Sequence, residues 1–241
     1  MTEKGKENTA LYDRVAYRTS KFLNLLFRSL AYEHVGYLND IIKMVGFKDE
    51  EKWIDLGCGF LQKAAKTVSY VTNIEVFGMD ESKYMLKRGV DLNPMFEGMV
   101  FAGDIVRLPV RDNSVDGVFA FQSLHHLSYN DFSKSIDEIK RVLKPGGRVA
   151  IIETFDVGDN KFKKMWFRSI EREYVHISNR GLNSNTSVYY NLPKSEFVRD
   201  WEDAGFKLIS KNYKGIKGIF VKVIDNIRYF ISEPLVFELK E

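Results

Sequence analysis

A single cysteine, Cys58, among 241 residues excludes an internal disulfide and any multi-cysteine zinc site, and it fits a reducing compartment. No apolar run approaches the roughly 20 residues of a membrane-spanning helix. Residues 1–8 are charged and have no apolar centre, so no signal peptide is expected. A soluble, cytoplasmic protein is the expectation, with peripheral membrane contact left open. Charge of one sign is missing too. The 36 Lys and Arg against 33 Asp and Glu leave a net charge of +3, too near balance to predict nucleic-acid binding from the field alone. There is no internal repeat and no low-complexity segment. The length suits a single α/β domain able to bury a sizeable core.

What is present alternates. Residues 20–45 carry apolar side chains at helical spacing and end at Gly46. Strands are predicted at 52–56, 75–80, 97–102, 115–120 and 148–153. Helices are predicted at 61–70, from Ser82 as cap to 91, and at 131–143, the last stopped by Pro145-Gly146-Gly147. Alternation of this kind demands a parallel sheet covered on both faces. Beyond Glu153 comes a basic, aromatic-rich helical stretch at 159–177, then a polar segment and a helix at 195–204 stopped by Gly205. Two strands at 207–213 and 219–224 lie too close together for a helical crossover, so they are expected to pair antiparallel. The apolar tail at 226–241 is expected to dock either on its own domain or on a second subunit.

The stretch Trp53-Ile54-Asp55-Leu56-Gly57-Cys58-Gly59 reads as a buried strand that ends at an acid and turns through two glycines into a helix. Glycine accepts positive φ and lets backbone approach a ligand. A dinucleotide site would carry a third glycine where Gln62 stands, and Asp55 would repel a pyrophosphate. The acid suits a cationic ligand. S-Adenosylmethionine has an ammonium and a sulfonium and no phosphate. Asp55 can lie near its ammonium, Asp80 can accept both ribose hydroxyls, and Asp104 can accept from the adenine amine. All three acids fall at strand C-termini, the edge where open α/β sheets bind ligands.

DLGCG at 55–59, FGMDESKYML at 77–86, GDIVRLPVRDNSVDGVFA at 103–120, LHHL at 124–127 and IKRVLKPGGRVAIIE at 139–153 resemble the successive motifs of class I S-adenosylmethionine-dependent methyltransferases. The resemblance implies an α/β, Rossmann-like seven-stranded sheet of order 3-2-1-4-5-7-6 with strand 7 antiparallel. It further implies one domain over 1–241, with an N-terminal helical lid at 10–48, a cofactor-binding core at 50–155, a helical cap insertion at 156–194 and a C-terminal part at 195–241. Carried onto this chain, the cofactor-binding positions are Asp55, Gly57, Cys58, Gly59, Asp80, Glu81, Asp104, Ile105 and Gln122. The family's D-x-G-x-G-x-G run has Leu61 in place of its last glycine here, a departure that bears on the loop's shape and on how tightly cofactor is held.

Acceptor specificity is expected at the ends of the chain. Tyr12-Asp13-Arg14-Val15-Ala16 resembles the opening of the quinone-biosynthesis C-methyltransferases, which implies Tyr17 as an aromatic over the cofactor. The best specific expectation is C-methylation of a demethylated isoprenoid quinol. The alternatives are O- or N-methylation of another small metabolite or lipid precursor, and a methyltransferase-like binding protein without turnover. The Asn/Asp-Pro-Pro-Tyr/Phe run of amino-group methylation is absent after strand four, where Phe121-Gln122-Ser123-Leu124 stands, so nucleic acid is not the expected partner. His126 is the candidate general base, weighed against a structural role for the His125-His126 pair. Cys58 reads as a packing residue. No metal is expected, and the protein is expected to be a monomer or a homodimer. At 161–177, Phe162, Trp166, Ile170 and Tyr174 share one helical row beside a basic row. This segment would suit either a core-facing helix or one resting against a membrane or a prenyl chain.

Overall fold

The computed structural model describes residues 41–154, 193–209 and 232–240. The expected lid (10–48) falls largely outside these residues. The cap at 156–194 lies almost wholly outside them, as do Tyr17 and the strand at 219–224.

Five strands run parallel: β1 (Lys52–Leu56), β2 (Glu75–Asp80), β3 (Val100–Ala102), β4 (Val115–Phe121) and β5 (Leu143–Thr154). With β6 (Phe206–Leu208) and β7 (Ser232–Leu239) they form a seven-stranded sheet of order β3-β2-β1-β4-β5-β7-β6. Strand β7 is antiparallel to both β5 and β6. The α/β architecture and strand order are therefore those that the motifs imply.

Helices α1 (Gln62–Tyr70), α2 (Lys83–Leu92), α3 (Tyr129–Val142) and α4 (Lys194–Asp203) cover the sheet. Ser82 caps α2 as expected, its hydroxyl accepting the Met85 amide at 3.1 Å. Ser128 caps α3 and starts it before the expected residue 131. Each face of the sheet closes over its own core. On one face Phe132, Ile136 and Ile139 of α3 pack with Phe197 and Trp201 of α4, and the Trp201 ring stacks 5.3 Å from Phe237 of β7. On the other, Trp53 stacks on Phe119 at 4.7 Å, together with Ile41, Val45 and Leu61.

Three expectations are corrected. Strand β3 begins at Val100, because residues 94–96 form a 3-10 turn and Gly98 has φ +77°, which delays pairing. Pro145-Gly146-Gly147 does not stop the helix, which already ends at Val142. It sits within β5 as an irregularity, where the register to β4 jumps from Val115↔Leu143 to Gly117↔Arg148. The last strand is 232–239, within the expected tail. A strand seated between β5 and β6 must be apolar on both faces, and Leu235, Val236 and Phe237 are all 2% exposed or less.

At the edge away from the strand C-termini, buried Arg148 pairs with Glu51 and donates to the Val45 and Gly46 carbonyls at 2.7 and 2.6 Å. Glu51 also accepts from the Trp53 indole at 3.1 Å. This network fastens the preceding helix end, residues 41–45, to the sheet.

Candidate active site

Parallel strands bring the ends of β1, β2, β3, β4 and β5 to one edge. The strand order reverses between β1 and β4, which opens a crevice there. The turn after β1 is tied to β2, since the Gly57 and Cys58 amides both donate to the Met79 carbonyl at 2.8 and 3.0 Å. Gly57 has φ +68°, and a Cβ there would lie 2.6 Å from the Ser123 Cβ, so only glycine lets this turn press against the residues after β4.

Leu61 keeps the left-handed backbone for which glycine is usual, with φ 61° and ψ 13°. Its side chain is fully buried in a slot left by two other glycines. A Cβ on Gly78 would come within 2.4 Å of it, and one on Gly89 within 3.1 Å. Burying a leucine contributes about 1.5–3 kcal/mol, enough to offset a backbone cost of about 1–2 kcal/mol. The departure from the glycine run is thus absorbed by the core behind the turn.

Asp80, half-buried at the end of β2, is aimed by backbone. Its Oδ2 accepts from the Gly59 amide at 3.0 Å and its Oδ1 from the Ser82 amide at 2.9 Å. Glu81 beside it is half-buried. Asp104 follows β3 in a tight turn, with Oδ1 accepting the Val106 amide at 3.0 Å and its carbonyl accepting the Arg107 amide at 3.0 Å. Ile105 leans on the core. Gln122, directly after β4, holds φ 59°, an uncommon conformation for a non-glycine residue. Its amide donates to the Ile152 carbonyl at 2.7 Å.

Asp55 is the least satisfied of these groups. It is 1% exposed, and among the described residues its Oδ2 has no hydrogen-bond partner; the same holds for the buried Ser123 hydroxyl nearby. Burial pushes the Asp55 carboxyl up to about 7; Lys63 opposes the shift and Asp80 adds to it. The Cys58 thiol is pushed far up by burial and by Asp55 and Asp80, so it stays protonated and packs in the turn.

Sequence reasoning passed over Lys63, in the first turn of α1. Its ammonium donates to the Phe121 carbonyl at 2.5 Å, and burial pulls its pKa down. A lysine immediately inside a helix that opens at a ligand turn was the available signal. Glu153, the last residue of the 139–153 motif, has a role that its sequence neighbours do not reveal. Buried at the end of β5, it accepts from the Ser123 and Leu124 amides at 2.9 and 2.7 Å with one oxygen. Its other oxygen lies 2.6 Å from His125 Nδ1. The His125 and His126 rings lie 4.1 Å apart, and His126 is held neutral by burial, by His125 and by Lys63.

Asp55, Gly57, Cys58, Gly59, Asp80 and Gln122 thus gather around the β1 turn. Asp104 and Ile105 follow β3, and His126 ends the 3-10 turn at 124–126 that follows Gln122 and Ser123. Among the described residues no group of three or more His, Cys, Asp or Glu could hold a metal ion, and no helix is long and apolar enough to cross a membrane.

A family described as "Methyltransferase domain" matches residues 54–151. A demethylmenaquinone methyltransferase from Staphylococcus aureus is 30% identical over 224 residues, which cover 83% of this chain and 87% of that protein. Among solved structures, a SAM-dependent methyltransferase from Aquifex aeolicus has TM-score 0.54 at 20% identity, covering 84% of this chain and 89% of that one. The YcgJ protein from Bacillus subtilis has TM-score 0.60 at 17% identity, covering 85% and 98%. At those identities the two structures speak for the fold alone. By its sequence relationship to these proteins the chain belongs to the class I S-adenosylmethionine-dependent methyltransferases.

Proposed function

We propose that the crevice around Asp55 holds S-adenosylmethionine and that the methyl group passes to a small, apolar acceptor, with C-methylation of a demethylated isoprenoid quinol the best specific reading. The observation that carries the cofactor position is the buried Asp55 carboxylate with one oxygen left without a partner, because such a group calls for a cation. Asp80, oriented by two backbone amides, is the acceptor for the ribose hydroxyls in this reading. Asp104 and Ile105 flank the adenine, with Glu81 and Gln122 completing the wall.

When bound, the cofactor supplies a methyl group already activated by its sulfonium. The protein's work is then to align the acceptor, exclude water and remove a proton. His126 is suited to the last task, because its surroundings keep the imidazole neutral and able to accept. Glu153 holds the Ser123 and Leu124 amides of the turn that carries it. The acceptor class is supported by the 30% identical relative named for demethylmenaquinone.

Calorimetric titration with S-adenosylmethionine tests the cofactor site, and Asp80→Ala should weaken binding strongly by leaving ribose hydroxyls unpaired. A short-chain demethylmenaquinol incubated with cofactor should gain a methyl on a ring carbon. If cofactor binds but only O- or N-methylated metabolites form, the quinol reading fails and the cofactor site stands.

A further inference from the structure

The site contains two opposite charges that do not neutralise one another. Asp55 has an oxygen without a partner among the described residues and takes part in no ion pair there. The Lys63 ammonium bonds to a neutral carbonyl, that of Phe121, and likewise has no ion-pair partner within 4 Å among the described residues. The two meet at the end of β4: Asp55 pairs in register with Phe119, and Lys63 bonds to the carbonyl of Phe121 two residues further along that strand.

The neighbouring acids are committed elsewhere. Asp80 receives the Gly59 and Ser82 amides, and Glu153 receives the Ser123 and Leu124 amides and faces His125. A ligand bearing only a cation would reach Asp55 against the field of Lys63. One bearing only an anion would reach Lys63 against Asp55. A ligand with an ammonium and a carboxylate on the same carbon satisfies both. The N-terminus of α1, which has no side-chain cap, adds to the stabilisation of a carboxylate.

Building on the proposed cofactor site, we infer that Asp55 and Lys63 form a two-charge clamp for the amino-acid end of the cofactor, Asp55 taking its ammonium and Lys63 its carboxylate. Lys63 is then a specificity residue: it distinguishes the intact amino-acid end from one lacking the carboxylate.

The test is calorimetric titration of the full chain with S-adenosylhomocysteine and with its analogue that retains the amine but lacks the carboxylate. Wild type should prefer S-adenosylhomocysteine by about tenfold to a hundredfold, the range of a hydrogen bond between charged groups. Lys63→Met should bring the two ligands within about twofold, while Lys63→Arg should keep the preference. Lys63→Gln serves the same comparison should the methionine variant not fold. A preference that survives in Lys63→Met overturns the clamp. So does tighter binding of S-adenosylhomocysteine by that variant, since Lys63 would then be a competitor for the cation position. Wild type that binds neither ligand overturns the cofactor site and the clamp together. A readout without ligand is the pH step in stability that Asp55 imposes. It should move to higher pH in Lys63→Met, and an unmoved step removes the premise that the two charges face each other.

Discussion

Asp55→Asn offers the sharpest check on the site, because the wild-type carboxyl weakens the ligand-free fold in a pH-dependent way. Its ordinary pKa of 3.8 is pushed up to about 7, chiefly by burial. Between those values the folded state binds a proton that the unfolded state has released. Stability from this group is therefore complete below pH 3.8, falls as pH rises and is lost above about pH 7. At about 1.36 kcal/mol per pH unit the whole loss is about 4 kcal/mol, and about 3 kcal/mol of it falls between roughly pH 5 and 7.

Asparagine keeps the shape and cannot titrate. Its buried amide costs about 1–3 kcal/mol of its own, a cost that does not depend on pH. Urea unfolding of both proteins from about pH 5 to pH 9 should show the difference in stability moving in favour of the variant by about 3 kcal/mol and levelling off above pH 7. Curves that stay parallel over that range would refute the reasoning. The cofactor should act in the opposite sense. Its ammonium binds the ionised carboxylate, so wild-type affinity should rise about tenfold per pH unit up to about pH 7, and this slope should vanish in Asp55→Asn.

Arg148→Met should cost about 3–5 kcal/mol in urea unfolding, because Glu51 is left buried without its partner. The double variant Arg148→Met, Glu51→Leu should recover most of that loss. Leu61→Gly should keep the turn and lose the packing against Gly78 and Gly89, with a net cost of about 1–3 kcal/mol once backbone strain is relieved. Cofactor affinity should change less than about twofold, and a tenfold drop would mean that Leu61 shapes the site directly. With His126 as base, kcat at saturating cofactor should hold its plateau to well below pH 6.5, since burial and the neighbouring charges keep the ring neutral there. A midpoint near 6.5 would point to a different group.

Much of the local structure was legible in order. Strands 52–56 and 75–80 matched residue for residue, because each is a short apolar run closed by an acid or a glycine. Ser82 announced α2 through the hydroxyl it offers to a helix's first amides. The position of strand 7 was not legible. Both 219–224 and 235–237 are apolar, and only a place between β5 and β6 selects the segment that must be buried on both faces.

The site divides in the same way. Asp55, the two glycines, Asp80 and Asp104 could be recognised in the sequence because a parallel sheet delivers every strand's C-terminus to one edge, so residues at strand ends meet wherever they lie along the chain. Leu61 could be seen to depart from the glycine pattern, but its accommodation depends on Gly78 and Gly89, which no local reading connects to it. Glu153 reaches residues 28 to 30 positions away, and Lys63 reaches a carbonyl 58 positions away. The sequence by itself determined which side chains stand at the ends of strands, since that follows from local periodicity and turn chemistry. Tertiary structure decided which of them are buried and which are left without partners, since burial and charge pairing depend on neighbours supplied by distant strands.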